Sequence, residues 1–196
     1  VSTSRHWVYA GLALATGYGV VRLIEGPQLK YGVSRVLLVG DSLAVGLSPY
    51  LSVLAGPRRV AFDSTAAVGT RIDQWANNAA LRQRLATFAP TLTLISLGTN
   101  DAYMMGGAAT AEQQRPQLRA LLSMIKAAGS DYVWIGPPLL LEAKNLPMLA
   151  MIRDEVPMSH YYHSERLDLP RGPDGLHPTI KGYAGWAGAL WTHLGG

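Results

Sequence analysis

Apolar residues follow two rhythms along this chain. The runs at 35–39 (RVLLV), 91–97 (TLTLISL) and 131–135 (DYVWI) are short and nearly continuous, the pattern of strands buried on both faces. Between them the apolar positions fall at helical spacing: Ile72, Trp75, Ala79, Leu81, Leu85 and Phe88 predict a helix over 71–88, ended by Pro90. Leu118, Leu121, Leu122 and Ile125 predict a second over 115–128, with Pro116 in its first turn and Gly129 as its stop. Ile180, Tyr183, Trp186, Ala187, Leu190 and Trp191 predict a closing helix over 179–194. Weaker patterns add a helix over 44–54, despite Gly46 and Pro49, and short strands at 60–62 and 158–163. Residues 64–69 read as a strand-to-helix loop, and 139–151 as an irregular, pocket-lining loop and helix behind Pro137-Pro138. Strands alternating with helices predict one α/β domain over residues 33–196.

Residues 1–32 are of another kind. The uncharged stretch WVYAGLALATGYGVV, residues 7–21, follows Arg5 and His6 and ends at Arg22. Counted to Ile24 it reaches the lower end of the ~17–25 residues a spanning helix needs. Three readings fit: a membrane-associating segment over 7–24, an uncleaved signal with Ala13-Leu14-Ala15 as a loose cleavage motif, or an apolar N-terminal helix packed on protein. The first two place the protein at the cell envelope or outside the cell. Residues 25–28, Glu-Gly-Pro-Gln, read as a linker.

Composition narrows the function classes. With 48% hydrophobic and 15% charged residues in 196, the chain has the makings of a well-formed core and not of a disordered tail. No cysteine is present, so disulfides, a thiolate nucleophile and Cys-based metal sites are excluded. The net charge of +4 is dispersed, its longest basic run being Arg58-Arg59 with no interleaved aromatics, which argues against nucleic acid as a partner.

Three blocks carry candidate chemistry. Gly40-Asp41-Ser42-Leu43 follows the first strand, where a hydroxyl at a helix start meets backbone N–H donors; Ser42 is the candidate nucleophile and Asp41 a brace for the turn. Gly98-Thr99-Asn100-Asp101 follows the 91–97 strand, and the Asn100 amide can donate to a developing oxyanion. Asp174-Gly175-Leu176-His177 sets a carboxylate three residues from an imidazole, so one ring nitrogen can be held by the acid while the other faces Ser42. Gly69 offers a further backbone donor. His160 and His163, with Asp154 or Asp168, would suit a metal only on a helix; packing or surface roles fit them better. Tyr103, Met104, Met105 and residues 139–141 are placed to shape a substrate pocket.

In this order the blocks resemble those of the SGNH hydrolases, the GDSL esterase/lipase family, over roughly residues 35–194. The resemblance implies a three-layer α/β/α flavodoxin-like fold with a central parallel sheet, to which the N-terminal apolar helix would be an addition. It implies a triad of Ser42, Asp174 and His177, an oxyanion hole from Ser42, Gly69 and Asn100, and no metal or organic cofactor. The expected activity is hydrolysis of short-chain acyl esters through an acyl-enzyme on Ser42, with a small-molecule or carbohydrate ester, such as an O-acetyl group, as substrate. A membrane-tethered O-acyltransferase using the same triad, or a non-catalytic assembly module, are the competing readings.

Overall fold

The computed structural model describes residues 33–104, 107–139 and 145–195. The expectations for residues 1–32, the apolar helix and its membrane or signal role included, lie outside them. Among the described residues no helix is long and apolar enough to cross a membrane.

Five strands form one parallel sheet: β1 (Arg35–Gly40), β2 (Ala61–Ala66), β3 (Leu92–Ser96), β4 (Asp131–Ile135) and β5 (Tyr161–Tyr162). Their order is β2-β1-β3-β4-β5. The chain runs first to one side of β1 and then to the other, so β1 and β3 flank a switch point. At such a point the loops leaving the two strands diverge and open a crevice at the carboxyl edge of the sheet.

Alternate strand residues feed two cores. Leu37, Val39, Ile95, Tyr132 and Trp134 point to one face, which is covered by α2 (Ile72–Ala76), α3 (Ala79–Phe88), α5 (Gly107–Ala127) and α6 (Leu146–Glu155). Val36, Leu38, Leu94, Val133 and Ile135 point to the other, under α1 (Ser42–Ala55) and α7 (Ile180–His193). Leu47 and Trp186 are fully buried in this second core, where truncating a leucine to alanine costs about 2–5 kcal/mol. The packing of α7 on α1 matters most for function, because it brings the C-terminal part of the chain to the start of α1.

Four expectations are corrected. The helix expected over 71–88 is two, because Asn78 caps α3 with its side chain, accepting from the Leu81 N–H at 2.9 Å. The strand expected at 60–62 extends to Ala66 and takes in half of the expected 64–69 loop; its half-buried Asp63, Ser64 and Thr65 pair with β1 although they break the apolar pattern. The helix expected from residue 115 begins at Gly107, since the residues before Pro116 are good helix formers and the exposed proline is tolerated inside it. Within 158–163 only Tyr161–Tyr162 is strand, after one 3-10 turn at Met158–His160. A short helix, α4 (Thr99–Met104), starts within the Asn100 block.

Candidate active site

Ser42 is the first residue of α1, immediately beyond β1. Asp41 caps the helix: its backbone is extended and its Oδ1 accepts from the Leu43 N–H at 2.9 Å. The Asp41 N–H donates to the Ser96 carbonyl of β3 at 3.1 Å, which draws the two strands close at the switch point. Gly40 is required by that approach, as a Cβ there would lie 2.2 Å from the Ser96 carbonyl oxygen.

His177 and Asp174 arrive from the loop before α7. The His177 Nε2 lies 2.8 Å from Ser42 Oγ, and its Nδ1 lies 2.6 Å from Asp174 Oδ2. The other carboxylate oxygen, Oδ1, accepts from the N–H groups of Leu176 and His177, each at 3.0 Å. Held first by the His177 imidazole and then by these two N–H groups, the Asp174 carboxyl falls to about 2 and stays ionised across the neutral range. The carboxylate therefore fixes Nδ1 as the protonated nitrogen and leaves the Nε2 lone pair for the Ser42 hydroxyl proton.

The two remaining expected residues stand close together, Asn100 in the first turn of α4 and Gly69 on the loop between β2 and α2. Asn100 is buried, and its Nδ2 donates to the Thr70 carbonyl at 2.9 Å, which uses one of its two amide protons and leaves the other available. Gly69, the neighbour of Thr70, is exposed and has φ +76°, a left-handed conformation that a side chain would strain. Its loop is tied to the nucleophile's turn by the Ala67 N–H, which donates to the Gly40 carbonyl at 3.0 Å. Among the described residues the N–H groups of Ser42 and Gly69 have no hydrogen-bond partner. The structure thus joins Ser42, His177 and Asp174 directly, and connects Gly69 and Asn100 to them through Thr70 and Gly40.

Two further carboxylates lie near Ser42, those of Asp41 and of Asp101, which faces Asp41 electrostatically. Burial pushes Asp41 up to about 7 and Asp101 up to about 6. Asp101 accepts from the Ile72 N–H at the start of α2, at 3.3 Å, and so ties α4 to α2. Of the residues expected to shape a pocket, Tyr103 and Leu139 are exposed; Met105 and residues 140–141 lie outside the described residues. His160 pairs with Asp131 at 3.1 Å and His163 with Glu165 at 2.7 Å, and no group of three candidate metal ligands is found among the described residues.

Sequence reasoning missed three features. Thr70 organises the Gly69 turn: its Oγ1 donates to the Ala67 carbonyl at 2.7 Å and accepts from the Trp75 indole N–H at 2.9 Å. Arg171 donates to two backbone carbonyls, those of Leu176 and Leu139. Bonds to main-chain carbonyls leave no mark in a sequence, so neither residue carries a pattern; the one available signal is that Arg171 is a cation inside a proline- and glycine-rich stretch otherwise occupied by the acid and base. The third is a second serine, histidine and aspartate line, with Ser159 Oγ 2.9 Å from His160 Nδ1 and His160 Nε2 3.1 Å from Asp131 Oδ1.

A family model described as "Protein of unknown function (DUF459)" matches residues 35–154, a stretch that contains Ser42, Gly69 and Asn100 and ends before Asp174. No curated protein matches the chain. Among solved structures, the chain is similar to the psychrotrophic esterase EstA from Pseudoalteromonas sp., inhibited by monoethylphosphonate, with TM-score 0.65 and 17% identity over 82% of this chain and 96% of that one. It is also similar to a GDSL-like lipase from Bacteroides thetaiotaomicron, with TM-score 0.58 and 17% identity over 82% and 87% of the two chains. An acetyl xylan esterase from Geobacillus stearothermophilus gives TM-score 0.57 and 14% identity over 83% and 94%.

Proposed function

The chain belongs to the family described as "Protein of unknown function (DUF459)" and has the fold of the GDSL lipases and esterases, and from that premise we propose that it is a serine hydrolase acting on carboxylic esters. The observation that carries this reading is the unbroken line from Asp174 through His177 to Ser42, 2.6 Å and 2.8 Å long in its two links, ending at the N-terminus of a 14-residue helix.

Ser42 Oγ attacks the ester carbonyl while His177 Nε2 takes its proton. The oxygen of the tetrahedral intermediate carries the negative charge and meets the free N–H groups of Ser42 and Gly69 and the second amide proton of Asn100. The C–O bond to the alcohol then breaks, the His177 proton goes to the departing oxygen, and an acyl ester on Ser42 remains. Water, deprotonated by His177, attacks that ester and releases the acid and the free serine. No step needs a metal or an organic cofactor.

Short acyl groups, O-acetyl on carbohydrate among them, are the substrates we favour. Support comes from the acetyl xylan esterase among the similar structures and from Tyr103, which lies one helical turn beyond Asn100 and offers an exposed aromatic face. Solvent access favours hydrolysis over transfer: the Asp174 and His177 side chains are 52% and 37% exposed, so bulk water reaches the acyl-enzyme. The segment 7–24, apolar but for Arg22, is the basis for proposing an envelope location, which fractionation of cells expressing the full chain tests.

The decisive experiment is labelling by a fluorophosphonate probe alongside turnover of p-nitrophenyl acetate. The expected result is labelling and turnover in the wild type and neither in Ser42→Ala. Turnover undiminished in Ser42→Ala overturns the proposal.

A further inference from the structure

We propose that Arg171 is a positioning residue for this reaction, acting through His177 by clamping the loop that carries the base to the segment leaving β4. The inference rests on the ester-hydrolase reading.

The loop from 170 to 179 closes on itself. Thr179 N–H donates to the Pro170 carbonyl at 2.8 Å, Gly172 N–H to the His177 carbonyl at 2.8 Å, and Gly175 N–H to the Gly172 carbonyl at 3.0 Å, with Arg171 and Pro178 paired across an antiparallel bridge. Within it, the peptide unit joining Leu176 to His177 is gripped at both edges. Its N–H donates to Asp174 Oδ1 at 3.0 Å, and its carbonyl accepts from Arg171 Nη1. That unit sets the direction in which the His177 side chain leaves the backbone, and so the reach of Nε2 toward Ser42.

The other arm of the guanidinium goes outside the loop. Arg171 Nη2 donates to the Leu139 carbonyl at 3.0 Å, and Leu139 lies on the chain leaving β4, which Asn145 also holds by donating to the Pro138 carbonyl at 2.8 Å. The base loop is thereby fastened to the edge of the sheet from which the site is built. Among the described residues Arg171 forms no ion pair. Both of its hydrogen-bond partners are neutral carbonyls on two separate segments, and bridging them calls for a rigid planar fork with diverging donors. Lysine carries its donors on one nitrogen at the end of a flexible stem and lacks the two separated nitrogens that hold these carbonyls.

A misplacement of about 1 Å at a reacting group costs on the order of 100-fold in rate. Arg171→Met therefore lowers kcat on p-nitrophenyl acetate, and the rate of Ser42 labelling by a fluorophosphonate, by about 10- to 100-fold, with KM held within about threefold. Arg171→Lys fails to restore the rate, the midpoint of the pH–rate profile stays where it is in the wild type, and guanidinium ion added to Arg171→Ala recovers part of the activity while ammonium does not. Two results overturn the proposal: wild-type kcat and labelling in Arg171→Met, or activity in Arg171→Lys above about half of wild type, which would make the cation's charge and not its fork the agent. Should Arg171→Met fail to fold, Arg171→Lys carries the test, and activity in it above about half of wild type is fatal. A wild type inert to ester and probe alike refutes the hydrolase reading itself, whereas a reactive wild type matched by its Arg171 variants refutes only the clamp.

Discussion

Two serine, histidine and aspartate lines occur in this molecule, at opposite edges of the same sheet. Ser42, His177 and Asp174 stand at the carboxyl edge; Ser159, His160 and Asp131 stand at the amino edge, where β4 and β5 begin. Link lengths and solvent access do not separate them sharply, for the imidazoles are 37% and 28% exposed. What separates them is the backbone around the hydroxyl. Ser42 opens α1 and faces unsatisfied N–H groups and the positive end of a helix, with Asn100 one strand away. Ser159 lies within the 3-10 turn Met158–His160 beyond the end of α6, and α5 ends just before Asp131, so the α-helix termini adjoining this line in the chain are carbonyl ends. On the proposed mechanism the first edge offers donors to a charged oxygen, whereas the α-helix ends beside the second offer carbonyls. In a parallel α/β sheet this polarity holds throughout, because the helices that run back antiparallel to the strands start at the carboxyl edge and end at the amino edge. A hydrogen-bonded trio alone does not make a catalyst; its surroundings must favour the charge that the reaction creates.

The sharpest way to break this contrast is to remove each hydroxyl in turn. Ser42→Ala is expected to lower kcat by at least about 10⁴-fold, while Ser159→Ala leaves it unchanged, measured with p-nitrophenyl acetate at pH 8. Equal losses in the two variants would dissolve the distinction. The oxyanion argument is tested next: Asn100→Ala should cost about 10²–10³-fold in kcat with KM little altered, and a loss below about threefold would mean that the amide serves only to hold the Thr70 carbonyl.

The buried acids give a third test, since only the Ser42 edge has them. Asp41 and Asp101 are raised above the ordinary carboxylate value of about 3.9, so between that value and about 6–7 the folded chain binds more protons than the unfolded one. The stability contributed by these two acids is therefore full below pH 4 and is lost as pH rises from there to about 7. Asp41→Asn removes part of that slope, and its Tm should fall less than the wild type's between pH 5 and 8 by several °C, at about 2–4 °C per kcal/mol for a chain of this size. Asp174 works the other way: its depressed value means that its stabilising contacts persist at neutral pH and fade only as pH drops toward 2. The smallest effect belongs to the second line, where His160→Asn should change stability by no more than about 1 kcal/mol in a denaturant titration, as expected of a half-buried pair that water still screens.

Much of this architecture is legible in the sequence for a definite reason. β1, β3 and β4 are buried on both faces, so their apolar runs are nearly continuous, and the Ser42, Asn100 and His177 blocks stand at the ends of elements. The edge strand β2 was only half legible, because its outer residues face water and its extent is set by pairing with β1 and not by its own pattern. The break at Asn78 was written in the sequence as a capping residue, but the apolar spacing on either side of it imitates one continuous helix. The contributions of Thr70 and Arg171 depend on where main-chain carbonyls end up after folding, and the Ser159 line depends on a strand pairing that places Asp131 beside His160. No local spacing encodes such encounters.

Ser42 and His177 are 135 residues apart, and the contact between them exists only once α7 has docked on α1. During synthesis Ser42 thus leaves the ribosome long before His177, and on the proposed mechanism a nascent chain that lacks the His177 loop and α7 carries an unactivated hydroxyl. The appearance of reactivity toward a phosphonate probe would then time the final closure of the fold, making the active site a clock for its own assembly.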